Sequence, residues 1–278
     1  MEKVAFLNLS YDSFNHDHIW KQFFDEGDPD SWNLYIHSKT KEPSLFFEYY
    51  LNKPIPTAWG HFSLVEATIA MMKEALKDEK NEYFTLISGA HIPLYPLDEL
   101  VSLIKNRYKK TTFSKHFSFH TKVKSQKVLR VGSIAPHPFD LYNAVCQFFI
   151  CRRSDVIKFV ETFEEYSKYF VKDEVIFADE FYFWAVARDL KMDFVMGKAP
   201  TYSDWRMDII GKDGVPERTP RVISLLNEIM VDFLRKQGFL YARKLESQSL
   251  ITKNPVSNQK NIDSGSNQIR INSSWKIR

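Results

Sequence analysis

Apolar positions follow two rhythms along the first half of the chain. Val4-Ala5-Phe6-Leu7-Asn8-Leu9 and Trp32 to His37 are short apolar runs of strand length. His18 to Phe24 and His61 to Lys77 instead repeat their apolar residues at helical spacing, the second through Leu64, Ala67, Ile69, Met71, Met72 and Leu76. Tyr83-Phe84-Thr85-Leu86-Ile87-Ser88 is apolar enough for a central strand, and a helix is expected from about Leu97 to Asn106. This alternation predicts an α/β fold with a mostly parallel sheet flanked by helices, with ligands at the carboxyl ends of its strands.

The second half is mixed. Ala144 to Cys151 reads as a strand, Ser154 to Phe170 and Asp179 to Leu190 as helices, and Met192 to Met196 as a strand. Thr219-Pro220 places a capping hydroxyl before a first-turn proline, predicting a helix that Gly238 closes. Phe239-Leu240-Tyr241-Ala242 follows as a last extended stretch. Beyond Glu246 the chain turns to Ser, Asn, Gln and Lys. Residues 1–245 are therefore expected to form one domain and 246–278 a polar, basic tail.

Composition narrows the function classes. Aromatics make up 15% of the 278 residues, which suits a thick core and also stacking surfaces for flat ligands. A net charge of +3 gives no footing for a nucleic-acid partner. The amino-terminal apolar run is too short for a signal segment and no stretch approaches the ~18 residues of a membrane span, so a soluble, cytoplasmic protein without a membrane span is expected. Cys146 and Cys151, if on one strand, stand about 16 Å apart, beyond disulfide reach.

Charge is conspicuous in one place. In Phe177-Ala178-Asp179-Glu180-Phe181-Tyr182-Phe183-Trp184 two carboxylates open an otherwise apolar segment. Asp179 is a reasonable helix N-cap, with Glu180 in the first turn. There the helix dipole favours an ionised carboxylate while aromatic neighbours oppose it, a balance that can poise a general base. The alternative is that both acids only cap the helix.

Other chemistry is sparse. Neither G-x-G-x-x-G nor the Walker pattern occurs, and C-x-x-C and H-E-x-x-H are absent. His16-Asp17-His18 reads as a solvated helix start. Asp28-Pro29-Asp30 has the D-x-D form of metal-dependent sugar-nucleotide enzymes but falls in a polar loop, whereas Ser88 to Tyr95, after the central strand, holds no carboxylate; no metal site is expected. His91 is positioned to cap its turn or to hydrogen-bond a ligand. Without metal, a diphosphate needs fixed cations, and the candidates are Arg218 and the pair Arg243-Lys244, with helix-start amides near Arg218 adding to the anion site.

Taken in order, several pieces resemble the core-2/I-branching β-1,6-N-acetylglucosaminyltransferase family, which includes peptide O-xylosyltransferases and related plant members. They are Val4 to Leu9, Leu34-Tyr35-Ile36-His37, Trp59-Gly60-His61-Phe62-Ser63-Leu64-Val65-Glu66-Ala67, Leu86-Ile87-Ser88 through Ile92-Pro93-Leu94-Tyr95, Asp179-Glu180 with Tyr182, Ser203-Asp204-Trp205, and Leu240-Tyr241-Ala242-Arg243-Lys244. The resemblance implies an inverting glycosyltransferase of the GT-A fold that uses a UDP-sugar without a divalent metal and acts on a glycan acceptor. It implies Glu180 as the base. It implies Lys244 at the diphosphate with an upstream arginine, Arg218 by order, with Arg221 and Arg206 as rivals. His37 and Ser38 are implied near the uridine, and Trp205, with Asp179, His91 and Trp59, on the substrate side. Gly89-Ala90 departs from the acidic residue often found there in the family. A glycoside hydrolase using two carboxylates and a non-catalytic carbohydrate-binding protein remain the alternatives.

Overall fold

The computed structural model describes residues 1–12, 14–40, 44–115, 144–172, 177–205 and 220–252. Its centre is a six-stranded sheet in the order β2-β1-β3-β6-β5-β7. The strands are β1 (Lys3–Ser10), β2 (Trp32–Ser38), β3 (Asn81–Ile87), β5 (Thr111–Phe113), β6 (Ile150–Arg152) and β7 (Phe194–Met196). β1 runs parallel to both β2 and β3, and β5 parallel to β7; only β6 is reversed against its two neighbours. The α/β expectation, a mostly parallel sheet flanked by helices, is met, in keeping with a GT-A-like fold.

Helices cover both faces, which is why β1 to β3 read as near-continuous apolar runs. On one face Ala5, Leu7, Leu9, Phe84 and Leu86 pack with α2 (Ser63–Ala75), α4 (Arg153–Glu161), α5 (Phe163–Lys172) and α6 (Tyr182–Asp189). On the other, Val4, Phe6, Leu34, Ile36 and Ile87 meet α1 (Asp17–Asp25), α3 (Leu97–Arg107) and α7 (Glu228–Lys236). Trp20 is the hub of this second layer: fully buried, stacked on Phe14 at 4.7 Å between centroids, it donates its indole N–H to the His91 carbonyl at 2.9 Å. A small sheet, β4 (Ile92–Pro93), β10 (Tyr241–Arg243) and β8 (Thr201–Ser203), lies beside it, and β9 (Leu225–Asn227) pairs in parallel with β11 (Leu250–Thr252).

Four expectations change. The helix from Ser154 to Phe170 is two helices, because Thr162 ends α4 and returns its hydroxyl to the Lys158 carbonyl at 2.7 Å. The strand proposed from Ala144 is regular only from Ile150; before it the chain makes an isolated antiparallel bridge from Val145 to Lys115, and Cys146 donates its N–H to the Ser114 carbonyl at 2.8 Å. Pro220 opens no helix: α7 begins at Glu228, capped by the Asn227 side chain on the Met230 N–H at 3.0 Å, although Gly238 does close it with φ +84°. Thr219 lies outside the described residues. The start of the supposed tail includes β11, so residues 246–252 belong to the folded body.

Cys146 and Cys151 are free thiols, as expected. Truncating the hub tests the layered core. Trp20→Ala should lower unfolding stability by about 3–5 kcal/mol in urea titrations, since it empties a fully buried site and frees the His91 carbonyl. A loss below about 1 kcal/mol would contradict the assignment.

Candidate functional site

Glu180 is not in the first turn of a helix. It ends a 3-10 turn, Ala178–Glu180, and α6 begins two residues later with Phe181 in the N-cap position and no side-chain cap. Asp179 is thus not the N-cap, and the reading of the two acids as mere caps of α6 falls with it. Burial of Ala178, Phe181, Tyr182 and Phe183, each 2% exposed or less, sets the path of the chain through this turn. Its entry is pinned at Phe177, whose N–H donates to the Gly60 carbonyl at 2.7 Å and whose φ of +60° is left-handed. Glu180 is held at both ends of its peptide unit: its N–H donates to Phe177 at 2.9 Å, and its carbonyl accepts the Val145 N–H at 2.9 Å. Its side chain stays half-buried on that fixed backbone.

The charge facing these acids is Arg243 on β10. Burial lowers its pKa to about 10, against the opposing pull of Cys146, Asp179 and Glu180. Its guanidinium lies over the Phe148 ring, 4.6 Å from the centroid, and its Nε is covered without a hydrogen-bond partner. His91 meets the same ring edge-on at 4.4 Å. It caps its turn as expected, its Nδ1 accepting the Ser88 N–H at 3.0 Å, which assigns the proton to Nε2; Nε2 has no acceptor. Burial, with Arg243 nearby, holds the imidazole neutral, well below its usual range.

Two more such groups sit at the ends of β1 and β2. His37, completely buried, accepts the Ile55 N–H on Nε2 at 2.9 Å and leaves Nδ1 without a partner. Asn8, equally buried, accepts the Ser10 hydroxyl on Oδ1 while its Nδ2 has none. Ser38 donates its hydroxyl to the Tyr11 carbonyl at 3.2 Å. Asn8 Nδ2, His91 Nε2 and Arg243 Nε are N–H groups, and His37 Nδ1 is a further buried ring nitrogen; each N–H costs about 1–3 kcal/mol when left unpaired. They lie along the carboxyl ends of β1 and β2, the turn after β3, and the neighbouring β10. Groups of this kind at the strand ends suit a ligand rich in acceptor oxygens. Sequence reasoning passed over Asn8, Cys146 and Phe148; for Asn8 the signal was available, a lone amide inside an apolar strand.

The second basic group gathers around β8 and β10, whose parallel register sets Ser203 beside Arg243. Just beyond, the Arg221 N–H donates to the Asp204 carbonyl and the Ile223 N–H to the Lys244 carbonyl, both at 2.8 Å. The fold thereby brings together the backbones of Arg221, Lys244, Asp204 and the half-buried Trp205. Lys244 Nζ is 3.2 Å from Glu246, whose carboxyl it holds below the usual range. Arg218 and Arg206 lie outside the described residues; the helix-start amides proposed beside Arg218 are not available there, since α7 starts at Glu228. Trp59, 73% exposed, lies edge-on to Phe177 at 4.8 Å.

Asp28 caps its own turn by accepting the Asp30 N–H at 2.9 Å. His16 is not solvated but buried, 2.8 Å from the Glu246 carbonyl. No group of three or more His, Cys, Asp or Glu side chains able to hold a metal occurs among the described residues. Nor does any described helix have the length and apolarity to cross a membrane.

Comparison with known proteins matches residues 4–237 to the sequence model of the family described as "Branch: Core-2/I-Branching enzyme". Among curated proteins, a glycosyltransferase named BC10 from rice, Oryza sativa subsp. japonica, is 28% identical over 101 residues. That alignment takes in 34% of this chain and 25% of the rice protein.

Acid should destabilise the protein through its buried histidines. Burial lowers the pKa of His16, His37 and, furthest, His91, so each takes up its proton at a lower pH in the folded state than in the unfolded chain, where it protonates near 6.5. The unfolded chain then binds more protons below that pH, and stability that is complete above it falls as pH drops, by up to about 1.4 kcal/mol per pH unit for each histidine. Urea titrations between about pH 7 and pH 5 should show this decline, and His91→Gln should reduce the slope by roughly one proton. An unchanged slope in that variant would contradict the buried neutral imidazole.

Proposed function

Because the chain belongs to the core-2/I-branching enzyme family, we propose that it is an inverting glycosyltransferase. It moves a sugar, xylose or N-acetylglucosamine, from a UDP-sugar to a hydroxyl of a glycan acceptor, forming a β-linkage without a divalent metal. The observation that carries this reading is Glu180, half-buried and bonded through its backbone on both sides, with the buried Arg243 of β10 in electrostatic reach.

An acceptor hydroxyl is too weakly acidic to attack unaided. Glu180 takes its proton as the oxygen bonds to the anomeric carbon from the face opposite UDP. The bond from that carbon to the diphosphate oxygen breaks, and UDP leaves with the electron pair. One base and one displacement invert the configuration. The charge that builds on the departing diphosphate is met by Lys244 together with Arg221, the candidate arginine whose backbone lies beside Trp205 and Lys244. Lys244 exchanges Glu246 for phosphate oxygens in this step. Arg243 adds positive potential from beneath. The nucleoside is assigned to Asn8, His37 and Ser38 at the ends of β1 and β2, and His91 and Asp179 to the substrate side; the unpartnered buried nitrogens of Asn8 and His37 support the first assignment. Trp205 supplies an apolar face to the acceptor.

Glu180→Gln should reduce transfer by about 10²- to 10⁴-fold while the thermal shift given by UDP persists; near-normal transfer would remove the base. Lys244→Ala should weaken that UDP shift, which in the parent protein reflects about 2.7 kcal/mol at a hundredfold excess over Kd. Transfer should continue in excess EDTA, and a strict requirement for manganese would overturn the metal-free diphosphate site.

A further inference from the structure

Four large apolar side chains stand in water where β9 passes into α7. Leu225 and Leu250 are direct register partners in the parallel pair of β9 and β11, so they share one face of it, and they are 45% and 55% exposed. Ile229 and Phe233 follow one turn apart on α7, at 68% and 58%. Leu226, Val231 and Leu234 of the same elements are buried, so these elements are apolar on a packed side and on an open side alike. A single exposed apolar residue is ordinary, whereas a set on joined elements marks an interaction surface. Glu228 and Asp232 stand exposed beside it, also one turn apart, and give the rim a negative sign.

A matching surface is written later in the same chain. From Gln268 to Arg278 every large apolar residue, Ile269, Ile271, Trp275 and Ile277, holds an odd position. Every charged residue, Arg270, Lys276 and Arg278, is basic and holds an even one. Strict alternation is the pattern of a strand with one apolar side. Residues 253–267 tether this stretch to β11, the strand that supplies Leu250. A chain of that length reaches about 50 Å when extended, against about 14 Å for the whole of α7, so the open face is within range. Tethering also fixes an effective concentration on the order of millimolar, at which a weak contact is largely occupied.

We propose that residues 268–278 dock in extended form on the open face of β9, β11 and α7, with their odd-numbered apolar side chains against it and their basic side chains at the rim with Glu228 and Asp232. Charge selects this occupant over the alternatives. An anionic lipid surface would meet the two acids with like charge, and a second copy of the same face would set acids against acids, whereas the tethered segment brings only cations.

Hydrogen-exchange mass spectrometry on the full chain tests this. Amides of residues 268–278 should exchange at least about fivefold more slowly than those of a free peptide of the same sequence. Phe233→Ser, at an exposed position, should return them to the peptide rate, and Ile229→Ser and Trp275→Ser should each do so independently. Phe47→Ser, at a position 61% exposed elsewhere on the surface, should leave the protection intact. Peptide-like exchange in the parent, or protection that survives both Phe233→Ser and Ile229→Ser, overturns the docking. Protection lost on dilution, together with dissociation of a dimer in sedimentation, would assign the face to a second copy and overturn it. Protection that arises only with vesicles of phosphatidylcholine and phosphatidylserine would assign it to a membrane surface and overturn it as well.

Discussion

A guanidinium removed from water must be compensated, and the crevice is arranged around that requirement at Arg243. Phe148 gives it a ring face, Asp179 and Glu180 give it charge, and His91 is kept neutral beside it. Each of these arrives from a different part of the chain. The pairing of β10 with β4 and β8 holds the cation in place, and the burial of Tyr241, two residues before it, against Thr85 ties β10 to the central sheet. Disturbing any of these contacts would leave a charge partly buried without its partners.

Polar side chains collect at the strand ends because the sheet is otherwise so apolar. With both faces of β1 to β3 covered by helices, polar side chains can gather only where the strands end and helices no longer close over them. Asn8, His37 and the Ser88–His91 turn lie at those ends. The carboxylate is brought to the same edge by a different device, a strained residue and two backbone hydrogen bonds, and this makes its position independent of side-chain packing around it. Positioning by backbone in this way limits how far the carboxylate can stray.

Where an element is buried on both sides, its apolar run carries its own boundaries, and β1, β2, β3, α1, α2 and α3 were all legible within two residues. The second half was less so. Splitting of the helix at Thr162 and the delayed start of α7 depend on where partner surfaces lie, which local propensity does not encode. The 3-10 turn before α6 is the clearest case. A capping acid before an apolar run is a sound local reading, but anchorage of Phe177 on Gly60, 117 positions earlier, outweighs it.

By itself the amino-acid sequence determined the α/β class, which follows from periodicity and residue type, and the ordered set of segments shared with a family of enzymes, which follows from residue identity. Only the tertiary structure decided that Arg221 and Lys244 lie on adjoining backbones, that Arg243 is buried within electrostatic reach of the acids, and that Asn8, His91 and Arg243 each keep a buried N–H without a partner among the described residues. Those facts depend on long-range contacts, and a contact between distant segments leaves no periodic trace in either of them.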